Sequence, residues 1–109
     1  MPKIRYYVAS SDHQPFAEWF ADLMPVTRVK VARAIARMEQ GNLSNVKLVG
    51  EGVLECRLDF GLPFRVYFAR DGATLVILLT GGTKKRQQRD IGAAHGYWQT
   101  YKQSKRARR

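Results

Sequence analysis

The sequence predicts a single α+β domain of two layers. A small antiparallel-rich sheet carries two N-terminal helices and a C-terminal helix, in the order β-α-α-β-β-β-α. Three observations carry that expectation. Apolar side chains recur at helical spacing between Phe16 and Met38. The apolar period shortens to two from Val53 onward, and Asp71-Gly72 sits between two apolar runs as a hairpin signal. A chain of 109 residues can bury one core and has no room for a second. Antiparallel hairpins with helices gathered on one side are a stable way to cover such a core.

Each element follows from its own residues. Ile4, Tyr6 and Val8 alternate with Arg5 and Tyr7, a short strand expected to join the same sheet. Ser11 and Gln14 have the spacing of a capping box, and Phe16, Trp19, Phe20 and Leu23 then share one helix face. Pro25 breaks the chain near Met24. A second helix is expected from Val26 to Gln40, with Val31, Ile35 and Met38 as its apolar stripe and Gly41-Asn42 as its stop. Lys30, Arg33 and Arg37 lie on a different face, where an ordinary solvated surface accounts for them. Strands are expected over Val53–Phe60, Phe64–Arg70 and Leu75–Thr80, with Gly61-Leu62-Pro63 as a turn and Gly81-Gly82 ending the last one. Ile91, Ala94, Trp98 and Tyr101 mark the final helix. The domain is expected to cover residues 1–101, followed by a basic, disordered tail over 102–109.

Strand parity places functional candidates. A two-residue turn at Asp71-Gly72 pairs Arg70 with Ala73, and sets Phe68 against Leu75 and Val66 against Ile77. In the preceding hairpin Leu58 and Phe64 share the core face, so Arg57 and Arg65 share the opposite one, and a register pairing Leu58 with Phe64 sets them directly opposite each other. Like charges so placed are destabilising. Either acids neutralise them, with Glu55 and Asp59 the candidates, or an anion binds there.

Charge is the strongest compositional signal. Nineteen Lys and Arg against nine Asp and Glu give +10, and residues 80–109 hold nine of the basic side chains and one acid. Such a surface attracts polyanions: nucleic acid, an anionic membrane or an acidic protein. No run of about 18 apolar residues suggests a membrane span, and the N-terminal stretch lacks the apolar core of a secretory signal. Cys56 is the only cysteine; it falls on the predicted core face as a packed thiol, and no disulfide or multi-cysteine zinc site can form. A reducing cytoplasm fits. His13 and His95 lack metal-ligand spacing, no phosphate loop or nucleophile elbow is present, and no cofactor is expected. What remains is a basic and aromatic set: Arg57, Arg65, Tyr67, Lys84, Lys85, Arg86, Arg89, His95 and Tyr97. RNA can be cut without a metal when its own 2′-hydroxyl attacks the adjacent phosphate. Arg and Lys would stabilise the added charge, and Tyr, His or Lys would move protons. Aromatic rings and Arg planes would hold splayed bases.

Three stretches carry a resemblance. Gly52 to Gly61, then Phe64-Arg65-Val66-Tyr67-Phe68, then Leu78 to Ile91 with its Gly81-Gly82-Thr83-Lys84-Lys85-Arg86 core, resemble the RelE/ParE toxin superfamily, and within it the HigB-like, phage-related addiction module killer branch. Phe16 to Leu23 and Gly41-Asn42-Leu43 are similar to that branch as well. The resemblance implies a RelE-like fold and the toxin of a type II toxin–antitoxin pair, acting as a metal-independent, ribosome-associated mRNA endonuclease. It implies a helix-turn-helix antitoxin as partner, with operator DNA reached only through that antitoxin, and mRNA and the ribosome as targets. No membrane partner is implied. Arg57, Arg65, Lys84 and Lys85 match the family's basic positions, and His95 joins them as a catalytic candidate. Tyr67, Arg86, Arg89 and Tyr97 are the RNA-binding candidates. Ile91 stands where RelE itself uses a tyrosine, so His95 or Tyr97 would have to move the proton. A ParE-like toxin that binds DNA gyrase, and a non-catalytic nucleic-acid-binding module, are the alternatives.

Overall fold

The computed structural model describes residues 3–43, 45–59, 63–73 and 75–107. Strand β1 (Lys3–Tyr6) leads into helices α1 (Pro15–Ala21) and α2 (Pro25–Glu39). Strands β2 (Val46–Leu48), β3 (Leu54–Asp59), β4 (Pro63–Arg70) and β5 (Leu75–Thr83) follow, then a 3₁₀ turn over Lys84–Arg86 and helix α3 (Gln87–Ala107). The five strands form one mixed sheet in the order β1-β5-β4-β3-β2. Only β1 runs parallel to its neighbour, β5. The α+β class, the two N-terminal helices and the C-terminal helix are as predicted.

Local chemistry sets the helix ends. The expected Ser11–Gln14 box does not form. Gln14 is the N-cap, Pro15 opens the helix with the φ it requires, and the Gln14 N–H donates to Glu18 Oε2 at 2.9 Å. That carboxylate also sits 2.6 Å from His13 Nδ1, and the two contacts hold Glu18 below the usual carboxylate range. Helix α2 ends in a Schellman motif. Gly41 takes φ 85° and donates to Met38 O, while Asn42 N–H donates to Arg37 O, both at 2.9 Å.

The three helices divide between the two faces of the sheet, where the sequence pattern gathers them on one. On one face α1 and α2 bury Phe16, Val31 and Met38 against Cys56, Leu58, Val66, Phe68, Val76 and Leu78. On the other α3 lays Ala94 and Trp98 over Val53, Tyr67, Ala69, Ile77 and Leu79. Successive residues of β4 and β5 alternate between the two clusters, as a pleated strand requires. Phe16 is wholly buried, and truncating such a side chain to Ala costs about 3–5 kcal/mol.

Four expectations are corrected. Strand β2, a three-residue edge strand pairing Val46 with Cys56, is absent from the predicted order, because the alternation of Val46, Lys47 and Leu48 is too short to announce a strand. The hairpin at Asp71-Gly72 is wider than two residues: Gly72 turns the chain at φ 74°, but Arg70 pairs with Val76 and Phe68 with Leu78. Asp71 is engaged by α3 instead, accepting from Tyr101 Oη at 2.5 Å and from Lys105 Nζ. A bulge at Leu79 then lets Tyr67 meet Thr80. Next, β5 runs through Gly81 and Gly82 rather than ending there. A Cβ on Gly81 would lie 2.2 Å from the Trp19 ring, and one on Gly82 would lie 1.8 Å from Asp90 Oδ2. These glycines serve close approach on either face, not a turn. Last, residues 102–107 are helical rather than a disordered tail. Lys102 lies 5.5 Å over the Trp98 ring and Lys105 pairs with Asp71. Arg108, Arg109 and the predicted turn residues Gly61 and Leu62 lie outside the described residues.

Candidate functional site

Arg57 and Arg65 share one sheet face, as strand parity predicts, and the register is the one that pairs Leu58 with Phe64 and sets the two arginines directly opposite. The two guanidinium groups nonetheless have different surroundings. Arg57 is exposed, whereas Arg65 is buried. Its Nε lies 3.5 Å from Glu55 Oε1, and its Nη1 donates to Phe64 O at 3.4 Å. Glu55, with only 2% of its side chain exposed, is the centre of this corner. Gln87 Nε2 donates to its Oε2 at 2.8 Å, and Lys47 Nζ approaches its Oε1 at 3.8 Å. Glu55 therefore takes the neutralising part toward Arg65 and leaves Arg57 facing solvent. The side chain of Asp59, the other proposed neutraliser, lies outside the described residues.

Tyr67 is wholly buried. Its ring belongs to the core beneath α3, so it cannot stack on a base, and the RNA-binding role expected of it is corrected. Burial and the neighbouring Glu55 carboxylate push its phenol well above the usual range. Cys56 is likewise packed, its thiol pushed up to about 11 chiefly by burial.

Two clefts flank the start of α3. A cavity of about 210 Å³ is lined by Asn45, Lys47, Glu55, Arg57 and Arg65. A second, of about 390 Å³, lies between α1, the end of β5 and α3, and is lined in part by Trp19, Arg86, Arg89, Asp90 and Tyr97. Between them the Lys84–Arg86 turn presents three exposed cations. Arg65 pairs with Gly82, which places this basic turn beside the arginine corner. The Asp90 carboxylate rests on Gly82, with Oδ2 buried and unpaired. Burial raises its pKa, and Arg86 and Arg89 pull against that rise. Tyr97 stacks on Tyr7, ring centroids 5.2 Å apart.

His95 stands apart from both clefts. Its Nε2 lies 2.9 Å from Val49 O, so this nitrogen carries the proton and donates, tying α3 to the loop between β2 and β3. The structure thus sets Arg57 opposite Arg65, with the Lys84–Arg86 turn two residues past the Gly82 that pairs with Arg65, and places Arg86, Arg89 and Tyr97 in the neighbouring cleft. Gln87, Lys47 and Asp90 are members the sequence does not assign to the site, and Glu55, expected only as a neutraliser, stands at its centre. For Glu55 the signal is its place on the same strand face as Arg57. For Asp90 the only hint is the glycine pair, which can mark close packing. Among the described residues no group of three His, Cys, Asp or Glu side chains could hold a metal ion, and no helix is long and apolar enough to cross a membrane.

A small sheet domain that turns a cluster of cations outward at one end of its sheet is built to meet a polyanion. The chain belongs to the Gp49-like family of phage-derived proteins: the model for "Phage derived protein Gp49-like (DUF891)" matches residues 18–106. This family is associated with toxin–antitoxin modules and is related to the RelE/HigB-type toxins. An uncharacterised protein of Haemophilus influenzae is 38% identical over 80 residues, covering 72% of this chain and 81% of that protein.

Proposed function

We propose that this chain is the toxin of a type II toxin–antitoxin pair and acts as a metal-independent, ribosome-associated mRNA endonuclease. The observation that carries the reading is the arginine corner: Arg57 directly opposite Arg65, beside the exposed Lys84, Lys85 and Arg86. The 2′-oxygen of the substrate attacks the adjacent phosphorus, the bond to the 5′-oxygen breaks, and the products are a 2′,3′-cyclic phosphate and a 5′-hydroxyl. Arg57, Lys84 and Lys85 offset the charge that grows on the phosphate, and Arg65, held by Glu55, braces the corner. A proton must leave the 2′-hydroxyl and one must reach the 5′-oxygen. Tyr97 serves better than His95 here, because it lines the cleft with Arg86 and Arg89 while His95 Nε2 is committed to Val49 O. Arg86 and Arg89 track the RNA backbone.

The partner is a helix-turn-helix antitoxin that covers the basic face, and operator DNA is reached only through it. Expression without that partner should arrest growth, and co-expression of a helix-turn-helix protein encoded next to this reading frame should relieve the arrest. Messenger RNA cut on programmed ribosomes, with DNA gyrase supercoiling unaffected, is the expected outcome. Inhibited gyrase with intact message would replace this reading by the ParE-like one. Normal growth at high levels of folded protein would remove the toxin reading altogether.

A further inference from the structure

The basic stripe of α2 does not face open solvent alone. Lys30, Arg33 and Arg37 line a cavity of about 400 Å³ that reaches Arg57 at the edge of β3 and is lined further by Asn42 and Asn45. The Schellman turn at Gly41 sends the chain back along this cleft. The Arg57 N–H donates to Asn45 O at 3.0 Å, which pins the wall to the sheet. Among the described residues no acidic side chain lines the cavity. Among the described residues no ion pair engages Arg33, Arg37 or Arg57. Cations gathered along one cleft repel one another, and an anion beside them offsets that repulsion. The floor, with Met38 and Leu58, is apolar, and among the described residues no aromatic ring lines it. Such a lining can hold a charged backbone but offers no platform on which to stack a base. Strand β2 stops pairing at Cys56. Arg57, next along β3, lines both this cleft and the one containing Arg65.

We propose that the α2–β3 cleft is a second nucleic-acid subsite, which holds the phosphodiester backbone of single-stranded RNA continuing past Arg57 from the sheet face. It binds by charge and does not read sequence. The choice of RNA rests on the function proposed above, because Arg57 belongs to both surfaces. Binding itself requires no cleavage.

The test is Arg33→Gln/Arg37→Gln, two exposed helix positions, with Asn45→Asp as a second variant that brings a negative charge to the same wall. The probe is a fluorescein-labelled oligouridylate of about 12 nucleotides, long enough for a typical single-strand site. Anisotropy is titrated across a range of salt, with circular dichroism as the check on folding. Arg33→Gln/Arg37→Gln should weaken binding about tenfold and lower the salt slope by about 1.4, the share of two phosphate contacts on a single strand. Asn45→Asp should weaken binding in the same direction. Unchanged affinity and slope in the folded double variant would overturn the proposal. Tighter binding of a polyglutamate peptide than of the RNA, lost in the same variant, would overturn it in favour of a protein partner. A wild-type chain that binds the probe through this cleft and yet cuts no RNA would leave the subsite standing and remove the nuclease reading alone.

Discussion

Two arginines that share one pair of strand positions differ in what their loss should do. Arg65 is buried beside a carboxylate with only 2% of its side chain exposed. Arg65→Ala should therefore lower stability by about 1–3 kcal/mol, the cost of stranding a buried polar partner, as read by thermal melting. Adding Glu55→Gln should return part of that loss, because the stranded charge goes with it. Arg57 is exposed, so Arg57→Ala should change stability by no more than about 0.5 kcal/mol while cutting cleavage by roughly 10²–10³. Full cleavage by folded Arg57→Ala would sink the corner as the phosphate site. Asp90 offers a pH test. Its folded pKa lies above the unfolded value, so its protonated form fits the fold better. Stability from this group is fully present below the ordinary aspartate pKa of 3.8 and is lost as pH rises through the raised folded value. Asp90→Asn should thus melt above the wild type at neutral pH, with the difference closing on acidification toward about pH 4. A lower neutral melting point for the variant would show that Arg86 and Arg89 more than offset the burial.

The glycine pair shows how an element is decided by its neighbours. Gly81 and Gly82 look like a strand stop, yet β5 continues to Thr83 because Trp19 and Asp90 occupy the space on either side. Gly81→Ala must push the Trp19 ring aside and should cost about 1–3 kcal/mol, the usual range for overpacking. Melting of the variant beside Gly72→Ala gives a comparison, since Gly72 has open space but a positive φ. The end of α3 follows the same logic. Lys102 over Trp98 and Lys105 on Asp71 join the last turns of the helix to the sheet. Removing residues 102–109 should then lower the melting temperature as well as the net charge. An unchanged melting temperature would mean that these contacts contribute nothing and that the segment acts only through its charge.

At the scale of the whole molecule, the sheet separates two kinds of work. Its centre is apolar on both faces and holds the core. The ends of β3, β4 and β5 carry cations toward the start of α3. With a charge of +10, association with an acidic antitoxin surface should be steered electrostatically. Its rate constant should fall steeply between low and physiological salt when followed by stopped-flow fluorescence of Trp19 and Trp98. A rate independent of salt would place the contact on apolar surface, of which Met24, Val26 and Val29 are exposed examples.

The sequence by itself determined what depends on neighbours in the chain. Helical spacing located α1 and α2, period-two alternation located β3 and β4, and the parity of that alternation put Arg57 and Arg65 on one sheet face. These are local consequences of backbone geometry, and they need no knowledge of what packs where. Tertiary structure alone decided the rest. The hairpin at Asp71 is wider than its two turn residues, and Asp71 itself is engaged by α3 from 30 residues away. Tyr67 is buried because α3 covers the second face, and Arg65 is neutralised because Glu55 is held there by Gln87. The α2 stripe becomes the wall of a cleft only when β3 brings Arg57 across from it. Burial and charge pairing are set by groups distant in sequence, and a pattern with a period of two or 3.6 residues carries no record of them.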